Sequence, residues 1–295
     1  MKALFRVLIA ATLTTAATGC ESFLDINQNP NQPTTQTPDA LLASALTTTA
    51  ANYMGGGTNY NTYASFATGY WGKTGTVSGF TEEQTYNYSN TYYQFLFNNT
   101  YDNLNNYDLI QRQGMTTGYP YHAAIARIMK VYNYLLLVDE YGDIPYTQAL
   151  KGIANTTPVY DPAVDIYKDF IVQLKGAVTD INTAAAAKPS VRAVGPEDVV
   201  FQGNMLMWKQ FANSLRLRVL LRESQTSDAN LNSSVAAELT ALQSEVDGFI
   251  TTDVVVQPGY ATNSNQQNPF YDRYGFGVGV ARATAEYSFV MPTNY

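Results

Sequence analysis

The chain has 295 residues, enough for one large or two small domains with a real core, and its 24 acidic and 17 basic side chains give a formal net charge of −7. Only 14% of residues are charged, against a usual figure of about 25%, so the chain lacks the basic surface that neutralises phosphates, which excludes a nucleic-acid partner. Tyrosine, at 23 residues, and asparagine stand where charge is usual. Rings stack on the C–H faces of sugars, and Asn and Tyr pair with hydroxyls, so such a surface suits uncharged, hydroxyl-rich ligands. The same composition also fits an exported protein of any other role.

The N-terminus reads as a secretory signal over residues 1–19. Lys2 and Arg6 form a basic head, residues 7–17 are apolar or small, and Ala17-Thr18-Gly19-Cys20 closes the segment. This apolar run is too short for the roughly 20 residues that a membrane span requires. Small residues before Cys20 look like a bacterial lipobox, in which the cysteine is acylated and anchors the protein, each buried methylene adding about 0.8 kcal/mol. The bland alternative is an ordinary signal peptide with an incidental cysteine. Cys20 is the only cysteine, so it has no disulfide partner. Residues 20–36, rich in Asn, Gln, Pro and Thr, are expected to be a flexible tether.

From residue 37 the pattern becomes helical, in a binding domain over residues 37–295. Thr37-Pro38-Asp39 supplies a cap, a proline at the first helical position and an acid in the first turn, and Gly55 to Gly57 end this helix. Residues 58–88 interleave aromatics with Gly, Thr and Ser. Helices are then predicted over residues 91–113, about 120–140, from Asp161-Pro162 through Ile181, from an Asn204 cap through Val219, and over 231–246. Strand-like runs are confined to residues 198–201 and 249–256. The expected fold is all-α, packed antiparallel pairs with minor β. No fixed 34-residue period supports a regular tetratricopeptide array. From Tyr260 onward there is no helical period, and Met291 to Tyr295 provide no closing element, which reads as the end of a fragment.

The catalytic inventory is sparse. Asp139, Glu140 and Asp143 lie within five residues, but neighbours in one turn rarely flank a glycosidic bond as a glycosidase requires, and their spacing is not that of an EF-hand. Gly142 and Pro145 favour a helix-terminating turn instead. Arg218 and Arg222, one turn apart, either pair with those carboxylates or face solvent. His122 is the sole histidine; no Gly-x-Ser-x-Gly elbow accompanies it, and histidine-rich metal sites are excluded by count. No phosphate-binding or dinucleotide glycine pattern occurs, and no cofactor is expected. The aromatics remain. Trp208 shares helical spacing with Phe211 and Leu215 and reads as core. Trp71, with Tyr70 and Phe80 in a polar, glycine-rich stretch, is either core or a ligand platform. Tyr271 and Tyr274 are weaker candidates of the same kind.

Taken in order, four segments resemble the SusD/RagB-type outer-membrane nutrient-binding lipoproteins of Bacteroidetes. They are Cys20 with Phe23 to Asn27 and Asn29 to Thr34; the long helix before Asp139; Tyr141-Gly142-Asp143-Ile144-Pro145-Tyr146 with Ala149-Leu150; and Trp208 with Phe211 to Arg218. The resemblance spans roughly residues 20–224. It implies tetratricopeptide-like helix pairs supporting an irregular, loop-rich ligand region, in a family whose members are usually considerably longer. It also implies a cell-surface location, cargo that is an oligosaccharide or a peptide, and a partner, a TonB-dependent (SusC-like) outer-membrane barrel. The platform at Trp71 rests on the residues themselves, not on the resemblance. Two other classes stay open at this point: a carbohydrate-active hydrolase using Asp and Glu, and a helical scaffold for protein partners.

Overall fold

In a computed structural model, residues 36–55, 58–75, 77–187, 190–279 and 284–294 are described. The expected signal segment, Cys20 and nearly all of the tether lie outside them. Ten helices, four short strands and one 3-10 turn occur among the described residues. In order they are α1 (Pro38–Met54), α2 (Tyr60–Ala67), β1 (Trp71–Lys73), α3 (Thr81–Thr85), α4 (Gln94–Thr116), α5 (Pro120–Tyr141), β2 (Ile144–Pro145), the 3-10 turn Gly152–Ala154, β3 (Tyr160–Asp161), α6 (Ala163–Ala186), α7 (Met205–Glu223), α8 (Ala229–Gln243), α9 (Pro269–Tyr274), α10 (Ala285–Phe289) and β4 (Val290–Pro292).

The body is built around α5. It packs against α4 and α6, while α1 closes on α4, α7 on α6 and α8 on α7. Three residues join α4 to α5, so the two must run antiparallel. Most of the circumference of α5 is buried, from Tyr121 through Ile125, Ile128, Leu135 and Leu137 to Val138, with Arg127 and Lys130 on a partly open polar edge. One polar network crosses this core. Thr49 on α1 meets the Tyr107 hydroxyl at 2.8 Å and accepts from Asn103 and Asn133, at 2.9 and 3.1 Å. Three helices are thus pinned in register by buried groups that satisfy one another.

Several boundaries depart from the sequence expectation for local reasons. Thr37 stands at the N-cap of α1 as expected but makes no side-chain cap; its hydroxyl goes to Asp39, which also takes Arg192 at 2.8 Å. The fourth helix begins at Gln94 rather than 91 because Tyr93 is held at φ 49°. Residues 198–201 are not a strand. The Asp198 carboxylate gathers the backbone N–H groups of Val200, Phe201 and Gly203 at 2.9–3.1 Å and the Trp208 indole N–H at 2.8 Å, winding the segment into a turn. The short apolar run Val199-Val200-Phe201 is what resembles a strand. Residues 249–256 run without a strand partner among the described residues; Ile250 N–H goes to the Ser214 hydroxyl instead.

The C-terminal part also differs. The segment that looked aperiodic holds α9 and α10, and β4 returns to pair antiparallel with β1, Trp71 opposite Pro292 and Lys73 opposite Val290. Thr74 N–H to Phe289 O and Thr293 N–H to Tyr70 O, both 3.0 Å, extend the ladder. A second two-stranded pair, Ile144 with Asp161 and Pro145 with Tyr160, closes the loop after α5.

Candidate functional site

The β1–β4 pair places Trp71 at the centre of an aromatic cluster. Its ring lies edge-on to Phe66 of α2 at 6.0 Å and to Tyr274 of α9 at 5.3 Å, with Phe270 at 6.3 Å. Phe80 reaches the same group through Phe66, at 5.4 Å. Each supporting element has a local cause. Asn59 accepts from Thr62 N–H and starts α2; Asn268 accepts from the N–H groups of Phe270 and Tyr271 and starts α9, with Pro269 next. Thr62 then meets the Tyr274 hydroxyl at 3.1 Å, joining residues 212 positions apart.

The five aromatics singled out from sequence therefore divide. Trp71, Phe80 and Tyr274 sit half-buried in one cluster, whereas Tyr70 and Tyr271 are 64% and 50% exposed. Trp71 is both packed and partly open. Phe66 and Phe270 complete the cluster and were missed. Phe66 lies within α2, which the glycine-rich surroundings concealed, and Phe270 directly precedes Tyr271.

A row of tyrosines continues from this region. Tyr88 stacks on Tyr92 at 4.5 Å and 15°, Tyr92 touches Tyr93 at 4.7 Å, and Tyr63 touches Tyr93 at 5.4 Å. Burial pushes the hydroxyls of Tyr88, Tyr92 and Tyr93 up from their ordinary range, so at neutral pH they remain protonated donors. Phe80, Tyr86 and Tyr93 all hold left-handed backbone, with φ of 58°, 53° and 49°. Bulky residues there are strained, and such strain gathers at functional sites. A largely apolar cavity of about 520 Å³ adjoins the cluster, bounded by Tyr53, Met54, Tyr132, Phe211 and Phe270.

The acidic triplet has other work. Asp139 receives Arg222 at 2.7 and 2.8 Å, the Tyr167 hydroxyl at 2.5 Å and Arg218 at 3.8 Å, so both arginines pair with it. Asp143 accepts from Ala163 N–H at the start of α6. Glu140 is raised by burial and takes a hydrogen bond from Tyr63. Gly142, at φ 73°, ends α5. His122 is buried, its Nε2 2.9 Å from Glu197, its ring edge-on to Tyr119. Burial lowers its pKa, against the opposing pull of Glu197. Among the described residues no group of three His, Cys, Asp or Glu side chains is placed to hold a metal, and no helix is long and apolar enough to cross a membrane.

A family model described as "Starch-binding associating with outer membrane" matches residues 30–279. The chain belongs to the SusD-like family. A SusD/RagB family protein from Bacteroides thetaiotaomicron VPI-5482 is 26% identical with a TM-score of 0.65, over 83% of this chain and 50% of that one. A structure titled "chitin-binding protein" is 26% identical with a TM-score of 0.55, over 72% and 44%. A chitin-binding SusD homolog from Flavobacterium johnsoniae, 21% identical with a TM-score of 0.55 over 71% and 43%, shares the fold. None of the curated proteins matches. The SusD-like chain thus spans about half the length of the solved structures it resembles. Its helix pairs are the tetratricopeptide-like architecture of that fold, and its family is associated with the outer membrane.

Proposed function

We propose that this SusD-like chain captures an oligosaccharide at the outer membrane and does not transform it. The carrying observation is the half-open Trp71 ring, held between Phe66 and Tyr274 on the β1–β4 strand pair. Tyr70 and Tyr271 extend this platform as exposed rings, and Phe80 and Tyr274 back it. Stacking on sugar C–H faces with neutral Tyr and Asn donors gives orientation without charge. Binding rather than hydrolysis is favoured because Asp139, Glu140 and Asp143 are each engaged by a different structural partner, leaving none of the three free to face another across a glycosidic bond. The family description and the chitin-binding relative favour glycan over peptide cargo.

We further propose that Cys20 is acylated and tethers the protein to the outer membrane at the cell surface, where it delivers cargo to a TonB-dependent, SusC-like barrel. Isothermal titration with malto- and chito-oligosaccharides tests the capture. Saturable binding that Trp71→Ala weakens about tenfold is expected, without release of shortened sugars. Binding of peptides alone, or turnover of the glycan, overturns it. For the anchor, Cys20→Ser should move the protein out of the membrane fraction.

A further inference from the structure

A second cavity, of about 920 Å³, opens between α4, α5, α6 and the loop after β2. On α5 it is lined by Arg127, Lys130 and Tyr134, at helical spacing, while Met129 and Tyr132 line the apolar cavity. At 100° per residue those two sets lie on opposite faces of the helix. The second cavity is therefore distinct from the aromatic platform.

Four of the chain's 17 basic side chains line it: Arg112, Arg127, Lys130 and Lys151, against one lining carboxylate, Asp108. Asp108 is shared between Arg112 at 2.7 Å and Lys130 at 2.8 Å. Of the neighbouring acids, Asp169 is held by Tyr146 and Gln173, Asp161 by Tyr146 and Thr147, and the half-exposed Asp180 takes one nitrogen of Arg127. Lys151 has no side-chain partner among the described residues. It follows Leu150, a bulky residue held at φ 60°, a strained conformation, and both line the cavity.

Arg127 is seated with unusual care. Its Nε donates to Gln173 at 2.8 Å and Nη1 to Asp180 at 2.9 Å, leaving Nη2 uncommitted. The guanidinium lies on Gly176, in the middle of α6, where any Cβ would overlap it. A mid-helix glycine costs roughly 0.5–1 kcal/mol relative to alanine. Here it lets the guanidinium lie against the helix while Gln173 and Asp180 orient it, and an oriented fork is the form in which arginine best recognises carboxylate and sulfate.

We infer that this cavity is a second ligand site, for an anionic group carried on a sugar, a uronate carboxylate or a sulfate ester. Arg127 reads the group through Nη2, Lys130 and Lys151 neutralise it, and Arg112 stands at the mouth. That the anion rides on a glycan rests on the capture function proposed above; the requirement for an anion does not. The full chain is titrated at low ionic strength with oligogalacturonate, with a sulfated heparin disaccharide and with neutral maltohexaose. At least one anionic probe is expected to bind saturably and to weaken with salt. Arg127→Lys and the exposed-loop variant Lys151→Glu should each weaken it by about tenfold, the scale of a charge-assisted hydrogen bond, and Trp71→Ala should leave it unchanged. Absence of saturable binding by both anionic probes, or affinity unaltered in both variants, overturns the site. Loss of maltohexaose binding alone would count against the platform and leave this cavity standing.

Discussion

The helical body and the aromatic fringe are made by different rules. In the body, α4 to α8 meet their neighbours in chain order, and each helix carries an apolar stripe that only a helix can bury. In the fringe, Trp71 depends on Phe270, Tyr274 and Pro292, some two hundred residues away. Local periodicity builds the first; distant backbone pairing builds the second. The difference explains why stability and ligand capture should separate on mutation.

The sharpest test of that separation is Trp208→Ala. The indole is fully buried and donates to Asp198, so a loss of about 3–5 kcal/mol is expected, read as a shift in the denaturant midpoint with the glycan site still saturable in whatever remains folded. A smaller body effect is expected from Gly142→Ala. Its φ of 73° with ψ of −116° is a backbone region that a Cβ makes costly, by about 1–3 kcal/mol. Trp71→Ala reverses the pattern: glycan affinity should fall about tenfold, some 1.4 kcal/mol, with the midpoint moving far less than for Trp208. If the two tryptophans proved equal in stability, the division between body and fringe would fail. Thr62→Val, which removes the tie to Tyr274, should cost about 0.5–1.5 kcal/mol and weaken glycan binding without altering helix content by circular dichroism.

The gentlest test uses pH. His122 has a folded pKa below 6.5 because its site is buried. Between that folded value and about 6.5 the unfolded chain binds the extra proton, so this group's contribution is complete above 6.5 and is lost as pH falls. Thermal melts should show a decline on that side that His122→Gln flattens. Glu197 acts lower, because backbone hydrogen bonds and His122 outweigh its own burial and depress its pKa.

Most of the body was legible in the sequence. Pro120 and Gly142 bracket α5, and the Asn204 side chain accepts from Leu206 and Met207 N–H as its position implied. The pairing of Arg218 and Arg222 with Asp139 was one of two readings, and no periodicity could choose between them. Asp198 shows why the false strand arose: Val199-Val200-Phe201 is an apolar, β-prone run, but a carboxylate that gathers three backbone N–H groups decides the local shape. The fringe was legible only as composition. Tyr70, Trp71, Phe80, Tyr271 and Tyr274 could be named, yet their division into packed and exposed rings depends on β4, three residues with no signal of their own. Arg127 and Gly176 gave no clue either, since a glycine inside a helix reveals its purpose only when the neighbouring guanidinium is placed.

The β1–β4 pairing also fixes an order of events. Wherever the helices assemble, the platform stays unfinished until residues near 292 have paired with residues 71–73. Proteolytic nicking within the exposed stretch at 261–266 would then disarm capture while sparing the scaffold. The proposed platform and the helical scaffold should thus be separable by a cut as well as by mutation.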